Sequence, residues 1–200
     1  PSPCLSVRKI LHPIIEAAVD GQLPDWSTVS LARHEHMMRV SSLLGNWAES
    51  LHLSEVDTAR WRASGCLHDA LREDDPETLR PKIPSSFRNW KPDMLHGPAV
   101  TEKLRLEGML DDELLSAIAY HSVGHKSLSR LGRALYSADF LEPGRKFRVE
   151  WCESLRARMP GELDEVTTEI VAARISYTIK HGLELYSESV GFWNALVNGN

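Results

Sequence analysis

The chain of 200 residues is poor in cysteine and has no hydrophobic run long enough to cross a membrane. Its three cysteines, Cys4, Cys66 and Cys152, are widely separated and form no metal-binding pair, so we expect reduced thiols in a cytoplasmic protein. The sequence has no signal-peptide pattern, no glycine-rich phosphate loop of the Walker type and no Gly-x-Ser-x-Gly elbow. These absences argue against a membrane protein, a secreted disulfide-stabilised domain, a P-loop enzyme and a serine hydrolase of the elbow type.

An excess of positive charge is also absent, since 23 Lys and Arg residues stand against 28 Asp and Glu residues and the formal net charge is −5. A chain without a broad basic surface is not expected to bind long nucleic acids. A small anionic substrate would need a local positive site, such as bound metal ions. The remaining composition, 42% hydrophobic and 26% charged, is that of a globular protein. The length favours one domain spanning residues 1–200.

The apolar residues recur with helical spacing, and no segment has the pattern of a strand. We therefore predict an all-α fold, a helical bundle with a metal-site core at about residues 29–145 and further helices at about 146–197. The segments expected to be helical are 5–19, 29–51, 55–71, 96–107, 111–121, 127–140, 147–158, 162–182 and 190–197. Four prolines interrupt residues 72–95, which we expect to form a long functional loop, a lid or substrate edge. Within it, Trp90 is a candidate for stacking on a base.

An apolar helical run at residues 65–72 ends in the adjacent pair His68 and Asp69, followed by Arg72. Imidazole and carboxylate are ligands that divalent metal ions commonly take. Four further side chains fall on the inward face or at the end of a predicted helix: His36, His96, His121 and Asp139. Each histidine taken singly is better explained as a core residue or a helix cap than as a metal ligand. Together the six side chains predict a metal centre.

The candidates divide into two sets. His36, His68, Asp69 and Asp139 would hold one ion, and His96 and His121 would hold a second, with Asp69 as the bridge. Two-metal hydrolases place their ions about 3.5–4 Å apart, a geometry that suits phosphoester cleavage. We therefore expect Asp69 to be catalytic as well as a ligand. His34, His52, His125 and His181 fit no core stripe and are interpreted as surface residues or as neighbours of the site.

Three side chains are candidates for contact with substrate phosphates: Arg72, His125 and Arg145. A guanidinium binds phosphate oxygens through two hydrogen bonds, and His125 follows His121 by four residues. The alternatives are that Arg72 is a surface charge beside the acidic run at residues 73–75, and that Arg145 pairs with Glu142. Of the three, Arg72 and His125 are also predicted to act in catalysis.

With these residues placed, the sequence resembles the HD-domain metal-dependent phosphohydrolases, and within them the bacterial YqeK-type family of symmetrical diadenosine tetraphosphate hydrolases. The resemblance is carried by residues 33–36 (RHEH), 65–72 (GCLHDALR), 96–98 (HGP), 119–124 (AYHSVG) and 136–145 (YSADFLEPGR). The last segment, with its Ala-Asp-x-x-Glu-Pro-x-Arg arrangement, is more specific than the His-Asp pair. The family commonly has lysine where Arg72 stands and threonine where Ser122 stands.

The resemblance implies an all-helical HD fold and a di-iron centre whose ligands match His36, His68, Asp69, His96, His121 and Asp139. It implies a nucleotide substrate, diadenosine tetraphosphate, cut at the middle of its phosphate bridge into two ADP. The same ligands also accept manganese, zinc and other ions. Two alternatives remain at this stage: an HD-type nucleotidase or phosphodiesterase acting on another nucleotide, and a nucleotide-sensing module without turnover. The helices after Lys146 could form the interface of a homodimer.

Overall fold

A computed structural model of the protein describes residues 11–199, and every regular element in that range is helical. The prediction of an all-α fold is confirmed. The α-helices are α1 (Pro13–Val19), α2 (Leu31–Ser50), α3 (Glu55–Leu67), α4 (Pro76–Leu79), α5 (His96–Leu106), α6 (Asp112–Tyr120), α7 (Arg130–Leu141), α8 (Val149–Arg158), α9 (Leu163–Lys180) and α10 (Ser187–Val197). None of these helices is long and apolar enough to cross a membrane.

Side-chain caps set the starts of four long helices. An oxygen of the residue before the helix accepts a hydrogen bond from a backbone N–H of the first turn, which satisfies a donor that has no partner within the helix. The capping residues of α2, α3, α6 and α7 are Ser30, Ser54, Asp111 and Ser129. Ser27, which lies shortly before α2, instead donates from its hydroxyl to the carbonyl of Ala70 at 2.7 Å.

Several predicted helix boundaries are wrong. Helix α3 ends at Leu67 rather than at residue 71, and one reason is local: the Gly65 carbonyl accepts a hydrogen bond from Nδ1 of His68 at 2.8 Å. Helix α7 begins at Arg130 rather than at residue 127, because Ser129 is its cap. Helix α1 begins at Pro13 with His12 as its cap, and residues 5–10 of the predicted helix lie outside the described range, as does Cys4.

The proline-rich segment is not the open loop that we predicted. Residues 76–94 form α4 and three short 3-10 turns, at Arg80–Lys82, Ser85–Phe87 and Pro92–Met94. Leu79, Ile83 and Trp90 are all buried in the hydrophobic core. Trp90 is only 5% exposed and packs edge-on against Phe87, so the prediction that it stacks on a base is wrong for this conformation.

One continuous hydrophobic cluster joins the helices. Helix α2 packs along α3, both contact α7, and α5 packs on α6, which in turn packs on α7. Helices α8 and α9 also pack on α7, and α10 packs on α9. Five helices, α2, α3, α5, α6 and α7, therefore surround a common centre. The C-terminal helices expose several apolar side chains, among them Tyr177, Ile179 and Val197, and an interface between two copies there stays a prediction.

Candidate metal centre

The six residues predicted as metal ligands converge although they come from separate parts of the chain. His36 lies within α2, His68 is the C-cap of α3 and Asp69 follows it directly. The other three are placed by α5, α6 and α7: His96 opens α5, His121 caps the end of α6 and Asp139 lies in the last turns of α7. Their donor atoms form three overlapping groups, each compact enough for a single ion.

Oδ2 of Asp69 belongs to one half of the cluster. It lies 3.7 Å from Nε2 of His36 and 3.6 Å from Nε2 of His68. Asp139 closes this half, since its Oδ1 is 3.2 Å from the same His36 nitrogen and 3.9 Å from the same His68 nitrogen. Two imidazoles and two carboxylates thus face one small volume.

Oδ1 of Asp69 belongs to the other half. It lies 3.0 Å from Nε2 of His96 and 3.5 Å from Nε2 of His121, and these two nitrogens are 3.1 Å apart. The two oxygens of one carboxylate are therefore shared between two pairs of imidazoles, which is the arrangement a bridging ligand needs. The sequence-based assignment of ligands to two ions stays a prediction, and a third group of donor atoms, from His68, His121 and Asp139, lies between the two halves.

The hydrogen bonds of the imidazoles leave acceptor nitrogens turned inward. Nδ1 of His68 donates to the Gly65 carbonyl at 2.8 Å, and Nδ1 of His121 donates to the Ile118 carbonyl at 2.7 Å. A neutral imidazole that donates through Nδ1 keeps a lone pair on Nε2. The buried Nε2 atoms of His36 and His68 have no hydrogen-bond partner among the described residues. Because unpaired buried nitrogens are unfavourable, their convergence on carboxylates fits a metal ion.

The ionisation of the cluster places negative charge at its centre, on two carboxylates. Burial lowers the pKa of His68 to about 4, so this imidazole is neutral at pH 7. Burial also opposes a charge on His36, but the nearby carboxylates of Asp139 and Glu142 outweigh it and raise its pKa to about 9. Burial alone would raise the pKa values of Asp69 and Asp139, yet the neighbouring imidazoles, together with Arg145 at Asp139, hold both well below the usual range. The site therefore keeps both carboxylates ionised.

Two arginines bind the ligand carboxylates directly. Nη1 of Arg33 donates to Oδ2 of Asp69 at 2.7 Å, and Nη2 of Arg145 donates to Oδ1 of Asp139 at 2.5 Å. The guanidinium of Arg145 thus pairs with Asp139 rather than with the Glu142 carboxylate, the alternative partner considered for it, and the backbone N–H of Arg145 donates to the Glu142 carbonyl at 3.1 Å. Arg33 was not among the predicted site residues. Its position one helical turn before His36 could have indicated it, because residues i and i+3 share a helix face.

Glu142 was also missed, except as a partner for Arg145. Its carboxylate lies behind His36, with Oε1 at 3.3 Å from Nδ1 of the imidazole. Oε2 accepts from Nε of Arg39 at 2.6 Å and from the backbone N–H of Gly144 at 2.7 Å. Glu142 follows Asp139 by three residues, so the spacing that placed Asp139 on the inward face could have placed Glu142 nearby.

The remaining candidates differ in their relation to the cluster. Arg72 is half-buried, its charge acts on His96, and no hydrogen bond between described residues uses its guanidinium. Glu73, the nearest member of the acidic run, instead accepts bonds from the Ser30 backbone and side chain at 2.6 and 2.8 Å. His125 stacks on Tyr120 at 4.4 Å, and no described hydrogen bond, ion pair or ring contact joins it to a predicted ligand. The structure therefore brings Arg72, but not His125, into electrostatic contact with the cluster.

A comparison with protein families matches residues 33–144 to the HD domain, a segment that contains all six clustered residues and more than half of the chain. The chain belongs to the HD domain family. Proteins of this family depend on metal ions, and the buried His/Asp cluster of this HD domain has the composition and spacing to bind them. The predicted resemblance to HD-domain hydrolases is confirmed.

Relatives with curated names match along most of the HD-domain chain. The bis(5'-nucleosyl)-tetraphosphatase, symmetrical, of Staphylococcus aureus is 26% identical over 81% of this chain and 85% of its own. A protein of the same name from Bacillus subtilis is 25% identical over 72% of this chain and 80% of its own. Among solved structures, a predicted HD superfamily hydrolase involved in NAD metabolism from Clostridium acetobutylicum superposes with a TM-score of 0.75, covering 94% of this chain and 97% of that one at 21% identity. That structure supports the fold.

Proposed function

We propose that this HD-domain protein is a metal-dependent phosphohydrolase of dinucleoside polyphosphates that cleaves diadenosine tetraphosphate symmetrically into two ADP. The observation that carries the proposal is the division of the two Asp69 oxygens between two pairs of imidazoles. The substrate is supported by the names of three relatives, each called a symmetrical bis(5'-nucleosyl)-tetraphosphatase. In this reaction one water molecule adds across the central P–O–P bond, and each half leaves with two phosphates.

The proposed ligands are those that the sequence indicated. One ion would be held by His36, His68, Asp69 and Asp139, and the second by His96, His121 and Asp69. Imidazole and carboxylate donors suit iron, manganese and zinc, and we favour iron because of the family resemblance. When bound, such a pair of cations supplies Lewis acidity, which lowers the pKa of water towards neutrality and neutralises phosphate charge.

The protein supplies position, charge and exclusion of solvent. His68, Asp69 and His96 are almost completely buried, so their donor atoms lie in a region of low dielectric where charge interactions are strong. Hydrogen bonds fix the imidazoles before any ligand arrives, which reduces the reorganisation needed during the reaction. Asp69 is thus proposed as the central catalytic group, because it joins both halves of the site.

Arg72 is proposed as the residue that binds the phosphate chain, since its charge acts on His96 and its guanidinium is not used in any described hydrogen bond. Arg145 could bind phosphate only while it remains bonded to Asp139, with which it forms two hydrogen bonds. His125, whose pKa burial lowers, remains a proposed contact for a more distant part of the substrate. The negative net charge makes these local cations important for an anionic substrate.

The proposal is tested by metal analysis of protein purified without chelators, followed by product analysis on diadenosine tetraphosphate. We expect two metal ions per chain and ADP as the nucleotide product. AMP together with ATP would show asymmetric cleavage, and turnover of other nucleotides alone would favour the alternative nucleotidase. Binding without cleavage would favour a sensing module. Protein that binds no metal under any condition would refute the proposal.

Two matched substitutions test the bridge. Asp69→Asn keeps the size of the side chain but removes the charge shared by both halves, so we expect both ions and all turnover to be lost. Asp139 is proposed as a ligand of the His36 and His68 half only, although its donor atom also lies within 4.8 Å of that of His121, so Asp139→Asn should lower the affinity for that half's ion more than for the other. The control is Asp164→Asn, which removes an exposed ion pair with Arg133 at 2.9 Å. Wild-type metal content and turnover in Asp69→Asn would contradict the bridging role.

A further inference from the structure

Glu142 is a buried carboxylate for which the proposed hydrolysis has so far required no role. It is 3% exposed, and its carboxylate pairs with the Arg39 guanidinium at 2.6 Å. Burying a carboxylate is unfavourable unless several donors surround it. Here three groups do so: the His36 ring, the Arg39 guanidinium and the Gly144 N–H.

The contact between Glu142 and His36 differs from those of two other histidines of the cluster. His68 and His121 are tied through Nδ1 to backbone carbonyls three residues earlier in the chain. A backbone carbonyl is supplied by the helix itself and needs no particular side chain. His36 lies in the interior of α2 and its Nδ1 faces the Glu142 carboxylate at 3.3 Å. Its ring is therefore oriented by a side chain from a distant segment.

The carboxylate is itself fixed on both sides. Oε2 is held by Nε of Arg39 at 2.6 Å and by the N–H of Gly144 at 2.7 Å, so Oε1 is directed towards His36. Gly144 also allows the close approach of Arg39, because a Cβ at this position would lie 2.6 Å from the guanidinium. The Glu-Pro-Gly sequence after α7 thus forms a turn that presents one oxygen to the imidazole.

The consequence for a metal ligand follows from imidazole chemistry. A carboxylate that accepts from Nδ1–H favours the tautomer whose Nε2 lone pair is free, and it fixes the plane of the ring. In His36 this Nε2 is the atom that faces Asp69 and Asp139. Loss of such an outer hydrogen bond typically lowers metal affinity by about 10–100-fold.

We propose that Glu142, held by Arg39 and the Gly144 N–H, is a positioning residue that orients His36 and so tunes one of the two cation subsites. The subsite affected is the one that His36 forms with His68 and Asp139. The subsite of His96 and His121 has no contact with Glu142 and should be unaffected by its loss. The inference rests on the proposed metal centre, because it assigns a role to a residue outside the proposed ligand set.

The test is a titration of metal-stripped protein with Co²⁺, followed by visible absorption and by calorimetry, which together report coordination and two dissociation constants. Glu142→Gln should lower the affinity for one ion by about 10–100-fold and change the absorption bands of that ion. The affinity for the other ion should stay unchanged. His36→Ala identifies which ion is affected. Glu169→Gln is the matched control, since Glu169 is also paired with an arginine, Arg158 at 2.6 Å, on another helix.

The possible outcomes distinguish a failure of the Glu142 role from a failure of the proposed metal centre. If wild-type protein binds no Co²⁺, the metal centre itself fails and the inference fails with it. If wild-type protein binds two ions and Glu142→Gln binds both with unchanged affinity, or loses both equally, only the positioning role is overturned. Should Glu142→Gln not fold, Arg39→Gln at a side chain that is 37% exposed makes the same test, with the same ion expected to weaken.

Discussion

Helices α2 and α3 approach each other closely at Gly65, the residue whose carbonyl accepts a hydrogen bond from His68, and a substitution there tests this packing. A Cβ added at Gly65 would lie 2.7 Å from both the Cα and the backbone N of Ser41. The contact is with backbone, so no rotamer change can relieve it. We therefore expect Gly65→Ala to push α3 away from α2 and to disturb the two histidines that these helices carry.

The magnitude follows from two opposing effects. Alanine is better than glycine in a helix by roughly 0.5–1 kcal/mol. Carbon atoms normally approach to about 3.5 Å, so the helices must separate by roughly 0.8 Å, and overpacking of this kind lowers stability by about 1–3 kcal/mol or more. The clash should win, with a net loss of about 2 kcal/mol. A shift of this size also exceeds the roughly 0.2 Å tolerance of metal–ligand distances.

The assay is urea unfolding of metal-stripped protein, together with a cation titration. A loss of about 2 kcal/mol should lower the urea midpoint by about 1 M. Gly191→Ala is the matched control: this glycine also lies within a helix, α10, but its added Cβ would meet only Lys126 atoms at 3.8 Å or beyond. That variant should gain up to about 1 kcal/mol. Wild-type stability and cation affinity in Gly65→Ala would refute the close-packing argument.

Three further predictions follow. Arg72→Ala should keep its metal content but lose about 10–100-fold in kcat/KM, because a hydrogen bond to a charged group is lost. Steady-state assays and elemental analysis test this, and loss of metal would mean that the role is misassigned. In metal-stripped protein His36 has a pKa of about 9 when folded, against a reference value of 6.5. Its protonation therefore stabilises the folded state fully below pH 6.5, and this contribution, up to about 3 kcal/mol, is lost as the pH rises to 9. Urea midpoints at pH 6 and pH 9 should show this decline, and an equal decline in His36→Asn would contradict it. Arg60→Met should lower the free energy of unfolding by about 1–3 kcal/mol, because the guanidinium bonds to Asp111 and Glu113 at 2.5 Å, while cation binding stays normal; unchanged thermal stability would count against this.

The features that the sequence predicted well are those that depend on local pattern. The helical spacing of apolar residues identifies every helix that carries a clustered residue, and Ser54 and Asp111 mark helix starts by their own side chains. The same spacing places His36 on the buried face of α2. A periodic pattern reports which side of a helix is buried, and five buried sides around one core must face each other.

Features that depend on distance between segments could not be predicted in this way. Arg145 was considered with Glu142, three residues before it, yet its guanidinium reaches back to Asp139 because the turn after α7 folds it there. The proline-rich segment gave a loop signal, although its apolar side chains, Ile83 and Trp90 among them, are buried in the core. In both cases the tertiary structure, and not the local sequence pattern, determined where the side chains lie.

By itself, then, the sequence determined the helical class and the kinds of ligand that point inward, because periodicity and residue chemistry are local properties. Only the tertiary structure decided how the oxygens of Asp69 are divided between the imidazoles, that Arg33 binds the same carboxylate, and that Glu142 stands behind His36. The last two contacts join residues 36 and 106 positions apart. Their geometry is set by how whole helices pack, and helix packing depends on the combined shape of many side chains rather than on any one motif.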